Sequence, residues 1–385
     1  MTENILENTK KKHSKIIIVS LIYIISALLY LFLRIGGKFG IFNFLGTSKN
    51  YILNIVNQII FIAGVPILLF SLFETKNLKR TFKQFKFSKI PGRIVWLSFL
   101  MGIVLYGVVV FLSSAWLNLI GLTGYKNPLF KISFGIQSPF AEFGAEIVLT
   151  CLLPAVCEEV LLRGCVLSGL ENMGRKRAII FVGLLFGFLH INVEQVFYAS
   201  ILGMFLCVIT MMTGSIWPAI IMHFTSNFCS VFLNFIFKLN LFNGELNRFI
   251  NTLFYGNVLT SIVNYLFIAF IVIYCFIMLF ARFLKYSKSK SLYDKLSAFM
   301  LENNLTPGEK VEINEQTGDN LIEMKNIVQA ELFSQLGMSR RPFDFILPPT
   351  AHDKYKPTVL EWVFVIAALV LTGGATLASF IGGIL

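Results

Sequence analysis

Three apolar stretches of this sequence contain side chains that are costly inside a hydrophobic segment. The six residues are Glu158, Glu159 and Arg163 in the first stretch, His190 in the second, and His223 and Asn227 in the third. Ionisable groups at membrane depth are rare, and they are usually paired, hydrated or functional. Carboxylates and imidazoles are also the most common general acids and bases. These six residues are therefore candidates for proton-transfer chemistry.

The spacing in the first stretch separates a supporting pair from a free carboxylate. Glu159 and Arg163 are four residues apart, on one helix face, with the glutamate on the N-terminal side, which is the better order for a helical ion pair. Their pairing leaves Glu158, turned by about 100° around the helix, as the carboxylate that can act as a general base. A neutral imidazole at His190 can hold the same water molecule.

His223 and Asn227 are also four residues apart, so both can point hydrogen-bond donors at one position. Converging donors stabilise the oxyanion that forms when a carbonyl carbon is attacked. Together with Glu158 and His190, this pattern indicates peptide-bond hydrolysis by activated water, without a covalent nucleophile.

The elements that carry these residues are expected to place them at about one depth. With a rise of about 1.5 Å per residue, Glu158 lies roughly 15 Å from the inner end of its stretch, His190 roughly 18 Å and His223 roughly 12 Å. Allowing for tilt, all three fall near the middle of a membrane. Other groups have simpler interpretations: Glu142 and Glu146 as interfacial charges, Glu194 as a solvated loop charge rather than a partner of His190, and Phe186 as packing.

The composition excludes a soluble protein. Of 385 residues, 56% are hydrophobic and only 14% are charged, against about 25% charged in typical soluble domains. Nine apolar stretches are long or nearly long enough to span a membrane: 16–35, 51–73, 94–120, 141–168, 178–192, 195–213, 215–237, 257–283 and 358–385. The predicted fold is an all-α, polytopic membrane bundle of about 8–9 transmembrane helices. None of the six cysteines forms a CxxC pair, so no thiolate metal site is predicted.

Basic residues predict the orientation of the bundle. The net charge of +12 is concentrated between apolar stretches, which indicates topology rather than nucleic-acid binding. Four basic blocks fall on one side if every stretch crosses: 10–15, 76–93, 175–177 and 282–290. The positive-inside rule makes that side the cytoplasm. We therefore expect an integral protein of a bacterial plasma membrane with a cytoplasmic N-terminus.

The chain divides into five predicted regions by composition. They are N-terminal spans (1–139), a catalytic membrane core (140–237), an eighth span with its preceding loop (238–283), a small hydrophilic cytoplasmic insert (284–357) and a C-terminal span (358–385). Within the insert, apolar residues at helical spacing predict an amphipathic helix over 321–336, with a partly disordered linker as the alternative. Small residues in the last span predict close helix packing on the bundle or on another copy.

The three motifs together resemble a known family. Glu-Glu-x-x-x-Arg at 158–163, Phe-x-x-x-His at 186–190 and His-x-x-x-Asn at 223–227 occur in the order seen in the CPBP family, the CAAX prenyl proteases and bacteriocin-processing enzymes, also called the Abi family. The resemblance covers roughly residues 140–237. It implies an intramembrane endopeptidase in which Glu158 and His190 activate water, His223 and Asn227 form the oxyanion hole, and Glu159 and Arg163 support the site. Members are often labelled metalloproteases, yet the family also resembles a glutamate-dependent protease that needs no bound metal.

Several alternatives stay open from the sequence. No cofactor is favoured, but zinc is an alternative, with Glu158, His190 and His223 as its ligands. The acidic and basic residues could form only a buried structural ion pair, or belong to a proton-coupled transporter, or to a non-catalytic peptide-binding immunity protein. The expected partners are the lipid bilayer and a membrane-embedded, prenylated or peptide substrate, and not nucleic acid. The sequence gives no oligomeric state.

Overall fold

The chain folds as a helical membrane bundle. The computed structural model describes residues 2–125, 138–239, 244–245, 248, 258–302 and 355–384. Within these ranges the regular structure is helical without any strand, and seven helices are long and apolar enough to cross a membrane. This confirms the predicted all-α polytopic bundle, and the protein is an integral membrane protein.

The helices of the described ranges are labelled here in chain order. They are α1 (Thr2–Lys38), α2 (Lys49–Thr75), α3 (Leu78–Gln84), α4 (Gly92–Gly121), α5 (139–170), α6 (Arg175–Leu189), α7 (Val193–Thr213), α8 (Trp217–Leu239), α9 (Val258–Glu302) and α10 (Val359–Ile384). A 3-10 turn, Asn43–Ser48, joins α1 to α2. Helix α9 continues to Glu302, so the predicted boundary at 283 falls inside a helix. The predicted helix over 321–336 lies outside the described residues.

Two of the nine predicted stretches differ from the seven candidate spans. Helix α6 has only 15 residues and ends at Leu189, which makes it short for a membrane crossing. Helix α5 is interrupted by two π-helical segments, Ile147–Leu152 and Val160–Val166. The two predicted stretches that are not candidate spans contain Glu158, Glu159, Arg163 and His190. The helices that depart most from a simple apolar span are thus the ones that carry chemistry.

Wide helical turns distinguish α2 and α5 from the other helices. In α5 the π-helical segment Ile147–Leu152 comes just before Pro154, and in α2 the segment Val56–Gly64 comes just before Pro66. Proline has no N–H to donate to the carbonyl four residues earlier, so the regular ladder is broken there. Such π turns are frequent at functional sites. The 56–64 segment of α2 packs on the α-helical 153–159 segment of α5 and on the second π-helical segment, 160–166.

Hydrogen bonds between helix ends define the two faces of the bundle. At the N-terminal end of α1, the contacts are Lys15 with Gln84, Lys86 with Glu171, Arg177 with the Tyr355 carbonyl, and Lys290 with the Thr213 carbonyl. All four predicted basic blocks supply a residue to this face, which we call the N-terminal face. At the other end, which we call the opposite face, Lys238 pairs with Glu142 and Tyr125 donates to Glu194. The basic blocks therefore share one face of the bundle, as expected if they follow the positive-inside rule.

Two neighbours hold α6 in place. On one side its glycines allow α7 to approach closely, since a Cβ built at Gly187 would lie 2.0 Å from Ser200 Oγ and 2.5 Å from the Val196 carbonyl oxygen. On the other side α10 packs against both α1 and α6, with the Trp362 ring 5.3 Å from that of Phe181. Small residues permit this kind of close helix contact in a membrane protein.

Candidate active site

Glu159 is the centre of a buried polar cluster. Its Oε1 accepts a hydrogen bond from Arg163 Nη1 at 2.8 Å and a second from His223 Nδ1 at 3.0 Å. The side chains of Glu159 and Arg163 are fully buried, and that of His223 is 4% exposed. A buried charge is stable only when it is paired and hydrogen-bonded. The ion pair predicted from the i, i+4 spacing is therefore formed, and it also ties α5 to α8.

Arg163 reaches a third helix through its remaining donors. Nη2 donates to the carbonyl oxygen of Gly203 at 3.0 Å, and Cζ lies 4.6 Å from the centre of the Phe186 ring. Guanidinium groups stack favourably on aromatic faces when they are desolvated. Gly203 leaves no room for a side chain, since a Cβ there would come within 3.0 Å of Phe186. Arg163 thus joins α5, α6 and α7 at one point.

Phe186 separates the two histidines of the site. Its ring meets the imidazole of His190 edge-on at 5.1 Å between centroids, and that of His223 at 5.6 Å. His190 Nδ1 donates to the carbonyl oxygen of Phe186 at 2.9 Å. A carbonyl only accepts, so the proton sits on Nδ1 and the Nε2 lone pair is left to accept. The packing role expected for Phe186 is thus combined with setting the ring orientation of His190.

Glu158 stands apart from this cluster. Its Oε1 accepts a hydrogen bond from Gln58 Nε2 of α2 at 3.1 Å, and its Oε2 is buried without a protein partner among the described residues. Neither His190 nor His223 forms a hydrogen bond to Glu158 among the described residues; their ring nitrogens bond to the Phe186 carbonyl and to Glu159. The structure therefore agrees with the expected division between a paired Glu159 and a less constrained Glu158, although it does not join Glu158 directly to an imidazole.

Asn227 bonds to the backbone of α5. Its Nδ2 donates to the carbonyl oxygen of Thr150 at 3.1 Å. In a regular α-helix this carbonyl would accept from residue 154, which is a proline and has no N–H. Asn227 therefore bonds a carbonyl to which Pro154 cannot donate, and it connects α8 to α5 one turn from His223. His223 and Asn227, which were predicted to point donors at one position, each donate one hydrogen bond to α5: His223 to the Glu159 carboxylate and Asn227 to the Thr150 carbonyl.

The turn after His190 is strained and held from two sides. Ile191 has φ of 49°, which is a true outlier for a β-branched residue. Arg34 Nη1 donates to the carbonyl oxygen of His190 at 2.9 Å, and Trp116 Nε1 donates to that of Val193 at 2.6 Å. Side chains from α1 and α4 thus fix the backbone on both sides of the strained residue, and with it the position of the His190 ring.

Acidic groups near the opposite face have separate partners. Glu194 is partly exposed and accepts a hydrogen bond from the Tyr125 hydroxyl at 3.4 Å. Burial, followed by the nearby charge of Glu194 and the hydrogen bond to it, raises the pKa of Tyr125, because each of these disfavours the tyrosinate. Glu142 pairs with Lys238 across α5 and α8, at the end of the bundle.

Some residues of the site were missed by sequence reasoning. Gln58, Arg34 and Trp116 make the contacts described above, but none of them belongs to a motif. A signal was present for Gln58, since an amide in the middle of an apolar stretch needs a partner. The interactions of Arg34 and Trp116 go to backbone carbonyls, which have no side-chain pattern to indicate them.

The donor set was also tested for a metal. Among the described residues, no three His, Cys, Asp or Glu side chains come close enough to hold a metal ion. Glu158, His190 and His223, the predicted set, are not gathered around one point, and His223 uses Nδ1 on Glu159. The residues as arranged do not fit a zinc site, so no reaction step is derived through one.

The fold and site define a class: a polytopic membrane protein with a buried Glu–Arg–His cluster and a second glutamate beside it. Residues 141–229 match the family model of the type II CAAX prenyl endopeptidases, described as Rce1-like. The match runs from α5 into α8, includes all six predicted site residues and confirms the family resemblance of the motifs. The chain therefore carries a domain of a membrane protease family. Comparison with curated proteins and with solved structures gives no match.

Proposed function

We propose that this protein is an intramembrane endopeptidase in which Glu158 activates a water molecule against a peptide bond. The observation that carries the proposal is the contrast between two adjacent carboxylates. Each carboxylate keeps its Oε2 without a protein partner among the described residues, but the two differ in their other oxygen and in their burial. Glu159 is fully buried and its Oε1 is bonded by Arg163 and His223, whereas Glu158 is half-buried and its Oε1 accepts from the neutral amide of Gln58. A general base needs such an available acceptor, held in a fixed place.

The reaction uses the side chains in fixed roles. Glu158 takes one proton from water, while the Nε2 lone pair of His190 orients that water by accepting a hydrogen bond from its other O–H group. The water oxygen bonds to the carbonyl carbon, and the carbonyl oxygen becomes an oxyanion. Glu158 then returns its proton to the amide nitrogen as the carbon–nitrogen bond breaks. The products are a new carboxylic acid and a new amine, and transfer of the acid's proton to the amine gives a carboxylate and an ammonium, so atoms and charges balance.

Stabilisation of the oxyanion is assigned to His223 and Asn227. The Asn227 amide has two N–H groups, and only one is used on the Thr150 carbonyl. His223 donates from Nδ1 to Glu159, so donation from Nε2 requires the doubly protonated ring, whose charge Glu159 balances. The cluster of two glutamates, one arginine and one imidazolium is then neutral as a whole. Preorganised donors of this type commonly supply the largest part of the rate enhancement.

The substrate is assigned by class only. A site within a membrane bundle suits a membrane-associated protein, a prenylated C-terminus or a secreted peptide precursor. The family match supports a CAAX-type substrate, and the basic N-terminal face supports a cytoplasmic N-terminus by the positive-inside rule. Location in a bacterial plasma membrane, with peptide maturation or self-immunity as its purpose, completes the proposal.

The test compares new peptide termini in membranes that contain wild type, Glu158→Gln or Glu171→Gln at matched abundance. Glu171 pairs with Lys86 at the N-terminal face, outside the site, so its variant is the matched control. We expect termini that are present with wild type and Glu171→Gln and reduced by about 10²-fold or more with Glu158→Gln, which removes the base. Identical profiles in all three would overturn the proposal and favour peptide binding or proton-coupled flux instead.

A further inference from the structure

A polar stripe of three buried amides runs along α2, and one of them contacts α5. Asn54, Asn57 and Gln58 each have a side-chain oxygen that is buried and that lacks a protein hydrogen-bond partner among the described residues. Gln58 is 6% exposed, and it donates from Nε2 to Glu158 at 3.1 Å. The stripe therefore starts near the first turn of α2 and ends at the proposed general base.

A second row of polar residues runs along α5. Glu142, Glu146, Thr150 and Glu158 follow one another at intervals of four or eight residues, with Pro154 between the last two, and such intervals keep side chains on one helix face. The start of α2 packs on the 147–152 segment, and its 56–64 segment packs on 153–159. Glu142 of this row pairs with Lys238 of α8, whereas Glu158 accepts a hydrogen bond from Gln58 of α2. Polar groups thus follow α5 from the opposite face of the bundle to Glu158.

The chemistry of the orphan oxygens indicates the missing partner. Three amide oxygens and the Oε2 of Glu158 are all acceptors, so the partner must donate hydrogen bonds. Three of the four belong to neutral amides, which do not select for an ion. They are closely enclosed, so the partner is small. Ordered water is the usual partner of such buried polar groups in proteins.

We propose that the interface between α2 and α5 is a hydrated passage that brings water from the opposite face of the bundle to Glu158. The π-helical segments in both helices widen the backbone along this interface, where wide turns are tolerated if water satisfies the freed groups. The passage supplies the second substrate of the proposed hydrolysis, and for that purpose it rests on the proposed function. Its existence does not depend on that function.

The experiment measures local water by X-ray radiolytic oxidation of methionine in the full-length protein. Radiolysis of bound water oxidises an adjacent methionine readily, whereas a methionine facing lipid lacks such water. Two probe variants, Asn57→Met and Asn54→Met, place methionine in the stripe. The matched control is Ile59→Met, because Ile59 lies in the same segment and is 48% exposed on the outer surface of the bundle.

We expect oxidation at position 57 to exceed that at position 59 by about fivefold or more, since bound water lies next to the first site only. Adding Asn54→Phe to Asn57→Met should close the passage nearer the opposite face and bring oxidation down to the control rate. Position 54 provides the second probe if the variant at 57 does not fold.

Two results would overturn the passage. Oxidation at 57 and 54 no faster than at 59 would show a dry interface, and oxidation at 57 that persists with Asn54→Phe would place the entry of water elsewhere. Neither result requires peptidase activity. An inactive protein with a hydrated interface would contradict the proposed function but not the passage. An active protein with a dry interface would contradict the passage but not the proposed function.

Discussion

Asn227 in α8 donates a hydrogen bond to the Thr150 carbonyl of α5, at 3.1 Å, in the position where Pro154 provides no N–H. One amide hydrogen of Asn227 is therefore occupied by the scaffold, and the second is directed by that bond. A donor held in this way needs no reorganisation when charge develops nearby, which is the physical basis of oxyanion stabilisation. Pro154 and Asn227 thus act as a pair across two helices.

The Pro154–Asn227 relationship predicts a double-mutant cycle. Asn227→Ala leaves the Thr150 carbonyl unsatisfied and should lower the free energy of unfolding by about 1–3 kcal/mol. In a Pro154→Ala background, residue 154 can supply the N–H itself, so the same change should have a smaller effect on stability. Thermal unfolding of the four proteins in detergent measures the coupling. Equal losses in both backgrounds would contradict the pairing.

Arg163 should be required for stability. Arg163→Ala removes the ion pair of the fully buried Glu159 carboxylate, leaving it only the bond from His223, and it removes the bond to the Gly203 carbonyl. We therefore expect a loss of about 3–5 kcal/mol and a lower abundance in membranes. A Glu159→Gln/Arg163→Met double variant leaves no unpaired charge and should be more stable than Arg163→Ala alone. Quantitative immunoblotting and thermal unfolding measure both. Unchanged abundance with lost cleavage would instead place Arg163 in direct contact with substrate.

Arg34 should position His190 without supporting the fold. Its side chain is exposed and its bond goes to the His190 carbonyl beside the strained Ile191. Arg34→Ala should leave abundance unchanged and slow cleavage by about tenfold, since small misplacements of a catalytic group have large kinetic effects. Arg34→Lys, which keeps a donor, should recover part of the rate, and Lys38→Ala in the same helix serves as control. A wild-type cleavage rate for Arg34→Ala would refute this role.

Gly187 should be intolerant of a side chain. A methyl group there would meet the Val196 carbonyl and Ser200 Oγ at distances that no atoms can hold, so α6 and α7 must separate. We expect Gly187→Ala to lower the free energy of unfolding by about 1–3 kcal/mol. Gly374→Ala is the matched change in α10, where nothing lies within 4 Å of the new methyl group. Equal thermal stability of the two variants would show that the close approach is unimportant.

The fold could be predicted well because membrane burial leaves a strong signal in the sequence. Long apolar stretches and basic blocks predicted the helices and their common face, and the i, i+4 spacing predicted the Glu159–Arg163 pair. The interruption of α5 by π-helical segments was not predicted, since it depends on how Pro154 and its neighbours are satisfied by other helices. The length of α9 was also missed, because its polar end continues a helix that starts in an apolar stretch.

The site was predictable only where its residues recur in motifs. The six side chains of the motifs were identified, but not their actual partners: His223 bonds to Glu159, and Asn227 bonds to a backbone carbonyl. Contacts to carbonyl oxygens depend on tertiary geometry and do not specify a residue type at the accepting position. Gln58 was within reach of sequence reasoning, because a single amide in a long apolar stretch requires an explanation.

Helix α10 is separated from the Rce1-like segment by more than a hundred residues of sequence, yet it covers α6, the helix that ends at His190. The segment 141–229 is consequently not a portable module. Transplanted or expressed alone, it would present the bare aromatic flank of α6 to lipid and lack the Arg34 and Gln58 contacts supplied by α1 and α2. A minimal active fragment therefore has to be assembled from both ends of the chain, and split-protein complementation is a more suitable design than truncation.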